Sequence, residues 1–222
     1  MGPTRNSQIE SLFAPSAVRA FSCDVDAALI QQLRTEERPS LGPMAAARQA
    51  EFATARACAR AALADLGVDA AVPKRDGGSP LWPTGMAGSI SHTRGFCVAV
   101  ATEGTVTVGI DVEEISRMKQ SVERRILVDT ERAALAGLSN EERRRLVAAI
   151  FASKEAFYKA HYEVEPRYLG FDAVEVSISD DRVSFAPSSG AVAADVLERT
   201  VGRLMVDRGR MFAGVTIDAT DR

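Results

Sequence analysis

The sequence predicts an α+β protein built from two similar lobes. Three observations carry that expectation. Two helical patterns recur, over 44–66 and 146–162, and each is followed by segments that alternate apolar and polar residues as strands do. Pro and Gly gather in the stretches between them, above all in VPKRDGGSPLWPTGMAGS (72–89), which reads as a long surface loop. The order helix-then-strands appears in each half, although no repeat is visible residue by residue.

The first helix starts after Gly42-Pro43, is rich in alanine, and stops at Gly67. FCVAVAT and TVTVGIDVE then read as two strands of a hairpin turning at Glu103-Gly104. Charged residues dominate 114–145, ending in EERRR, and the helical patterns of this stretch are expected to include an exposed connector between the lobes. In the second helix Leu146, Val147, Ile150, Phe151, Phe157 and Tyr158 recur at helical spacing. AVEVSI, RVSFA and MFAGVTI predict a strand-rich end, with a short helix at AADVLERT. The expected division is 1–114 and 115–222, the acidic strand closing the first lobe.

Composition narrows the function. With 46% hydrophobic and 26% charged residues among 222, the chain can bury a real core. A net charge of −3 argues against general affinity for nucleic acid, which needs a cationic surface. Three dispersed cysteines, Cys23, Cys58 and Cys97, fit neither a disulfide framework nor zinc-ligand spacing. The opening residues lack the apolar run of a signal peptide, and no segment reaches the ~18 apolar residues of a membrane span. A cytoplasmic location, with no membrane partner, is expected.

Four groups of residues carry candidate chemistry. In TVTVGIDVE, Val106, Val108, Ile110 and Val112 alternate toward one face, so Asp111 and Glu113 share the other. Their Cα atoms then lie about 6.5–7 Å apart, within reach of one hard cation such as magnesium. A solvated strand end reads the same from this segment alone. ASKEAFYKA offers Lys154, Glu155 and Lys159: a carboxylate to accept a proton and two ammonium groups to neutralise phosphate oxygens. Glu155 and Lys159 also match a surface ion pair worth about 0.3–0.5 kcal/mol. GSISHTRGF brings Ser89, Ser91 and His92 to a loop-to-strand junction flanked by glycines, which permit close backbone approach to a phosphate. No GxSxG turn accompanies these serines, so serine nucleophilic catalysis is not expected. Finally, Arg48 and Arg56 differ by about 80° around the first helix and about 12 Å along it, so one extended polyanion can touch both. Lys74 and Arg75 follow in the loop.

In this order GSISHTRGF, VGIDVEEISR and FASKEAFYKA resemble the signature of the Sfp-type phosphopantetheinyl transferases, while EFATARACARAALADLG and SPLWPTG resemble the actinobacterial and enterobactin-associated branch. The match runs from about Arg48 to Phe171. The resemblance implies a monomeric pseudo-dimer of two α+β lobes with the active site in the cleft between them. It implies transfer of phosphopantetheine from coenzyme A to an apo acyl or peptidyl carrier protein, with Mg²⁺ (or Mn²⁺) as cofactor. Such carriers serve fatty acid, polyketide, nonribosomal peptide or siderophore synthases. Residue by residue, it makes Asp111 and Glu113 metal ligands, with Glu155 a third ligand or the base. Ser91 and His92 would contact coenzyme A, Lys154 and Lys159 its diphosphate, and Arg48, Arg56 and Lys74 or Arg75 its 3′-phosphate. Tyr168 stands where relatives often carry tryptophan. Two rival readings use the same residues: a magnesium-dependent nucleotide hydrolase, and a carrier-binding module without turnover.

Overall fold

The protein is described here from a computed structural model covering residues 2–14 and 16–218. In chain order its elements are β1 (Thr4–Arg5), α1 (Ser7–Glu10), β2 (Arg19–Asp24), α2 (Ala46–Asp65), β3 (Met86–Thr93), β4 (Phe96–Glu103) and β5 (Val106–Glu114). There follow α3 (Gln120–Ile126), α4 (Asp129–Ala133), α5 (Asn140–Val164), β6 (Val174–Ser179), β7 (Arg182–Pro187), α6 (Ala194–Glu198), β8 (Thr200–Asp207) and β9 (Arg210–Asp218). The class is α+β, as expected.

The strands form two antiparallel sheets, one of four strands ordered β1-β2-β4-β3 and one of five ordered β5-β9-β8-β7-β6. Each sheet carries one long helix on its outer face. Phe52, Ala53, Cys58, Ala59 and Leu63 of α2 pack on Cys23, Cys97, Ala99 and Ala101. Ala149, Ala152, Ala156, Phe157 and Ala160 of α5 pack on Met211, Ala213, Val215 and Ile217. The inner faces meet in a third apolar layer, where Ala20, Phe96, Val98 and Val100 face Val108, Ile110, Val112 and Phe212. β4 is therefore buried on both faces, which is why its sequence is an unbroken apolar run. Burying these layers supplies the main driving force for folding.

Three expectations are corrected. The hairpin at Glu103-Gly104 does not form: the chain turns there, but β4 bonds to β2 and β3 while β5 bonds to β9. The division between the sheets thus falls in the 103–105 turn, and the acidic strand belongs to the second sheet rather than closing the first lobe. The 114–145 stretch is not an exposed connector either, because Ile126, Leu127 and Leu135 are buried in the second lobe's core. Its charge is partly internal: Glu123 receives Arg143 at 2.6 and 2.9 Å. The opening of the chain contains β2 and the apolar residues Ile9, Leu12 and Phe13 that fill the layer between the sheets.

β3 and β5, edge strands of different sheets, lie side by side without ladder bonding. Serine hydroxyls replace the missing partner: Ser89 Oγ accepts from Ile110 N at 3.1 Å, and Ser91 Oγ accepts from Val112 N at 3.3 Å. Backbone donors that would otherwise be buried unpaired are so satisfied across the seam.

Candidate active site

β5 sends Val108, Ile110 and Val112 into the layer between the sheets and turns Asp111 and Glu113 the other way, as its alternation predicts. That other face is only partly open to water. α5 covers it, and at Gly109 the approach is so close that a Cβ would lie 1.8 Å from the Ala156 carbonyl oxygen. Only glycine permits this contact. Glu155 and Lys159 flank Ala156 and come down on the acidic strand.

Lys159 Nζ donates to Asp111 Oδ1 at 2.7 Å and to the Ile110 carbonyl at 3.0 Å. Ser91 Oγ donates to the same Oδ1 at 2.7 Å. Asp111 is 4% exposed, and its Oδ2 is buried with no hydrogen-bond partner among the described residues. Burial, reinforced by Asp111 and Glu155, pushes the Glu113 carboxyl up to about 7, against the opposing pull of Lys159 and Arg117. Burial also raises Glu155, with Lys159 opposing and Asp111 adding to the rise. Among the described residues no three His, Cys, Asp or Glu side chains are already grouped as a metal site. The donor set nevertheless fits a hard cation: a buried carboxylate oxygen without a partner among the described residues, beside a second carboxyl whose negative charge is held off by burial first and by its like-charged neighbours second.

Two cavities flank this cluster. One, of about 420 Å³, is lined by Glu51, His92, Arg94, Glu113, Arg117 and Phe151 among others. At its rim Arg48 Nη1 reaches Glu51 at 3.0 Å and also contacts His92 Nε2. Burial, then Arg48, lowers the His92 pKa, so the ring is neutral and accepts from the guanidinium. The other cavity, of about 540 Å³, runs from Glu155 and Lys159 past Trp82, Tyr158 and Phe171 to Tyr162 and Tyr168. It is bounded by the 77–80 loop of the first lobe and by the second lobe's helix.

The structure brings Asp111, Glu113, Glu155, Lys159 and His92 together, with Arg48 at the rim. It places others differently. Lys154 is fully buried, and its ammonium donates to Ile126 O at 2.8 Å, Glu131 Oε2 at 2.8 Å and Phe171 O at 2.7 Å. All three of its protons are used inside the second lobe, so it has none for a phosphate. Ser91 is 5% exposed and commits its hydroxyl to Asp111 and Val112 N, which makes it a positioning residue rather than a ligand contact. Arg75 is held by Glu163, while Lys74 is exposed. Arg56 lies buried over the Phe52 ring at 4.4 Å, its Nε without a partner among the described residues and its pKa lowered by burial to about 10. Sequence reasoning passed over Arg94, Arg117 and Glu131. The first two stand within motifs already quoted, GSISHTRGF and VGIDVEEISR, whereas nothing local marks Glu131.

A buried acid cluster with one lysine, set between a basic cavity and an aromatic one, suits chemistry on an elongated anion. Two family models match, the 4′-phosphopantetheinyl transferase N-terminal domain over residues 36–102 and the 4′-phosphopantetheinyl transferase superfamily over residues 107–194. The chain belongs to the 4′-phosphopantetheinyl transferase superfamily and is an enzyme of that class. It is 32% identical over 199 residues to a 4′-phosphopantetheinyl transferase of Mycobacterium tuberculosis, covering 82% of this chain and 85% of that one. A 4′-phosphopantetheinyl transferase of Streptomyces mobaraensis is 35% identical, covering 70% of this chain and 65% of the relative. Enterobactin synthase component D of Salmonella typhi is 31% identical, covering 73% and 68% respectively. Among the described residues no helix is long and apolar enough to cross a membrane.

Proposed function

We propose that the protein transfers 4′-phosphopantetheine from coenzyme A to a serine of an apo acyl or peptidyl carrier protein, releasing 3′,5′-ADP. The observation that carries this reading is the convergence of Asp111 and Glu113 on β5 with Glu155 and Lys159 on α5, between the two cavities. The basic cavity suits the nucleotide, with Arg48 and His92 at its edge and Arg56 and Lys74 on the same lobe as further candidates for the 3′-phosphate. The aromatic cavity suits the pantetheine arm.

Asp111 and Glu113 would hold Mg²⁺, with Glu155 in reach as a third carboxylate. Bound there, the ion supplies charge neutralisation on the diphosphate. Lys159, already within hydrogen-bond distance of Asp111, neutralises phosphate oxygens as charge shifts to the departing 3′,5′-ADP. Glu155 takes the proton from the carrier serine. Its raised pKa keeps it a better proton acceptor than an ordinary surface glutamate. The serine Oγ–P bond forms as the P–O bond to the nucleotide breaks, and the proton leaves on the carboxylate.

The test is to mix the protein with coenzyme A, Mg²⁺ and a purified apo-carrier and to weigh the carrier by mass spectrometry. An added phosphopantetheine is expected. An unchanged carrier together with consumed coenzyme A would instead identify a hydrolase, and no reaction with retained coenzyme A binding a silent module.

A further inference from the structure

The second sheet steps back at one edge. β7 pairs with β8 only where Arg182 meets Arg203 and Val183 meets Gly202, whereas β9 follows β8 from Thr200 to Asp207. From Leu204 to Asp207, β8 therefore has no strand on its other side among the described residues. Its main chain there has a defined orientation. Arg208 and Gly209 both have positive φ, 48° and 75°, so β8 and β9 are joined by a tight two-residue hairpin turn, closed by a hydrogen-bonded pair of Asp207 and Arg210. Such pairs alternate along a ladder, so Val206 faces Met211 without ladder bonds and turns its N–H and C=O toward the open edge. Leu204, two residues earlier, points the same way: its N–H donates to Asp181 O at 2.7 Å.

A groove of about 460 Å³ opens at this step, where a longer β7 would lie. Leu138 and Leu146 line it from the helical side, and Ile178, Leu204, Val206 and Met211 from the sheet. Val206 is 38% exposed, so apolar surface lies beside unpaired main chain, the combination that templates another strand. Three carboxylates, Glu142, Asp180 and Asp181, line the groove against one base, Arg145. Asp181 is taken by Arg203 at 3.0 Å, while Asp180 is exposed and has no ion-pair partner among the described residues. The groove shares no lining residue with the two cavities at the reacting centre.

We infer that the free end of β8 is a docking site for an extended segment of a partner protein, one that alternates apolar with basic residues and adds a strand to the sheet. Main-chain bonds to Val206 supply affinity, and apolar side chains entering the groove supply selectivity. Basic side chains of the segment lie beside the carboxylates of the rim. A second copy of this chain would bring one acidic rim against another, which like-charge repulsion disfavours. This docking site is independent of the transfer reaction.

The probe is a short fluorescein-labelled peptide of alternating valine and lysine, titrated with the whole protein and read by fluorescence anisotropy. Saturable binding is expected. The same peptide N-methylated at alternate residues, which cannot donate to the edge, should bind about tenfold or more weakly. A peptide of alternating valine and glutamate should lose a similar factor. Val206→Pro should weaken the original peptide about tenfold with little change in melting temperature, because proline on an edge strand removes only the outward N–H. If that variant does not fold, the N-methylated peptide carries the test on the unaltered chain. Absence of saturable binding, or equal binding of the methylated peptide, overturns the docking site. So does concentration-dependent dimerisation that protects the Val206 amide from hydrogen exchange, since a second copy would then be the occupant.

Discussion

Lys154 and Glu131 meet at 2.8 Å with 0% and 1% of their side chains exposed, one residue along the helix from the carboxylate that faces the cleft. Glu131 also accepts from Val128 N and Val176 N, so the pair ties α4 and β6 to α5. Removing one member leaves the other charge buried and unpaired, which typically costs about 3–5 kcal/mol. Lys154→Ala should lose about that much unfolding free energy in urea titrations. Lys154→Met combined with Glu131→Gln should lose less than the two single changes summed. Coenzyme A affinity of the folded Lys154→Ala protein should stay within about threefold of wild type, because the ammonium reaches no ligand; a tenfold loss would return Lys154 to the phosphate site.

Glu113 gives a pH dependence with a definite sign. Its folded-state pKa is raised to about 7, so in the metal-free protein its contribution to stability is present below the ordinary carboxylate range and lost as pH rises through about 7. The melting temperature without metal should therefore fall between pH 5 and pH 8. Glu113→Gln should flatten part of that fall, by a few degrees at pH 8, while abolishing transfer. Magnesium affinity, which needs the carboxylate, should rise over the same window. Calorimetric Mg²⁺ titrations at pH 6 and pH 8 check the sign; tighter binding at pH 6 would contradict it.

Ser91→Ala separates positioning from binding. Its hydroxyl holds Asp111 and satisfies Val112 N, so the alanine variant should lose about 1–3 kcal/mol of stability and at least tenfold in kcat. The KM for coenzyme A should barely move. A raised KM with unchanged kcat would show the hydroxyl touching substrate instead.

Arg48 stands partly exposed at the mouth of the basic cavity, free to meet a phosphate at the modest cost of its contacts with Glu51 and His92. Its contribution, about 1.5–3 kcal/mol for a charge-assisted bond, should appear as a preference for coenzyme A over dephospho-coenzyme A. Arg48→Ala should shrink that preference by roughly tenfold or more. Binding measured with both nucleotides decides it, and an undiminished preference would release Arg48 from the role.

Glu155→Gln tests the base. It should bind coenzyme A and magnesium nearly as well as wild type while transfer falls by about 10²- to 10⁴-fold, with partial recovery at higher pH. Recovery with excess magnesium instead would identify a metal ligand.

The acidic strand was legible because four apolar residues at period two leave Asp111 and Glu113 a shared face. What that face meets was not legible, since its covering helix lies some forty residues on. The Glu103-Gly104 turn records that the chain reverses but not which edge each strand bonds, so β5 read as the partner of β4. Lys154 carried an overlooked signal: it follows Ile150 by four residues and precedes Phe157 by three, which places it on the apolar stripe. Ser89 and Ser91 were singled out for their glycine neighbours, yet the backbone donors they satisfy belong to a strand of the other sheet. Arg75 and Glu163, 88 positions apart, share no local pattern.

The bare contact between Gly109 and Ala156 sets the spacing of strand and helix by main-chain atoms alone. Ordinary drift in the second lobe's interior, a valine exchanged for an isoleucine or a leucine for a methionine, alters side-chain volumes elsewhere without inserting anything between Asp111 and Lys159. The dimensions of the reacting centre are thereby insulated from the rest of the core, and lineages can diverge widely in their interiors while the chemistry keeps one geometry.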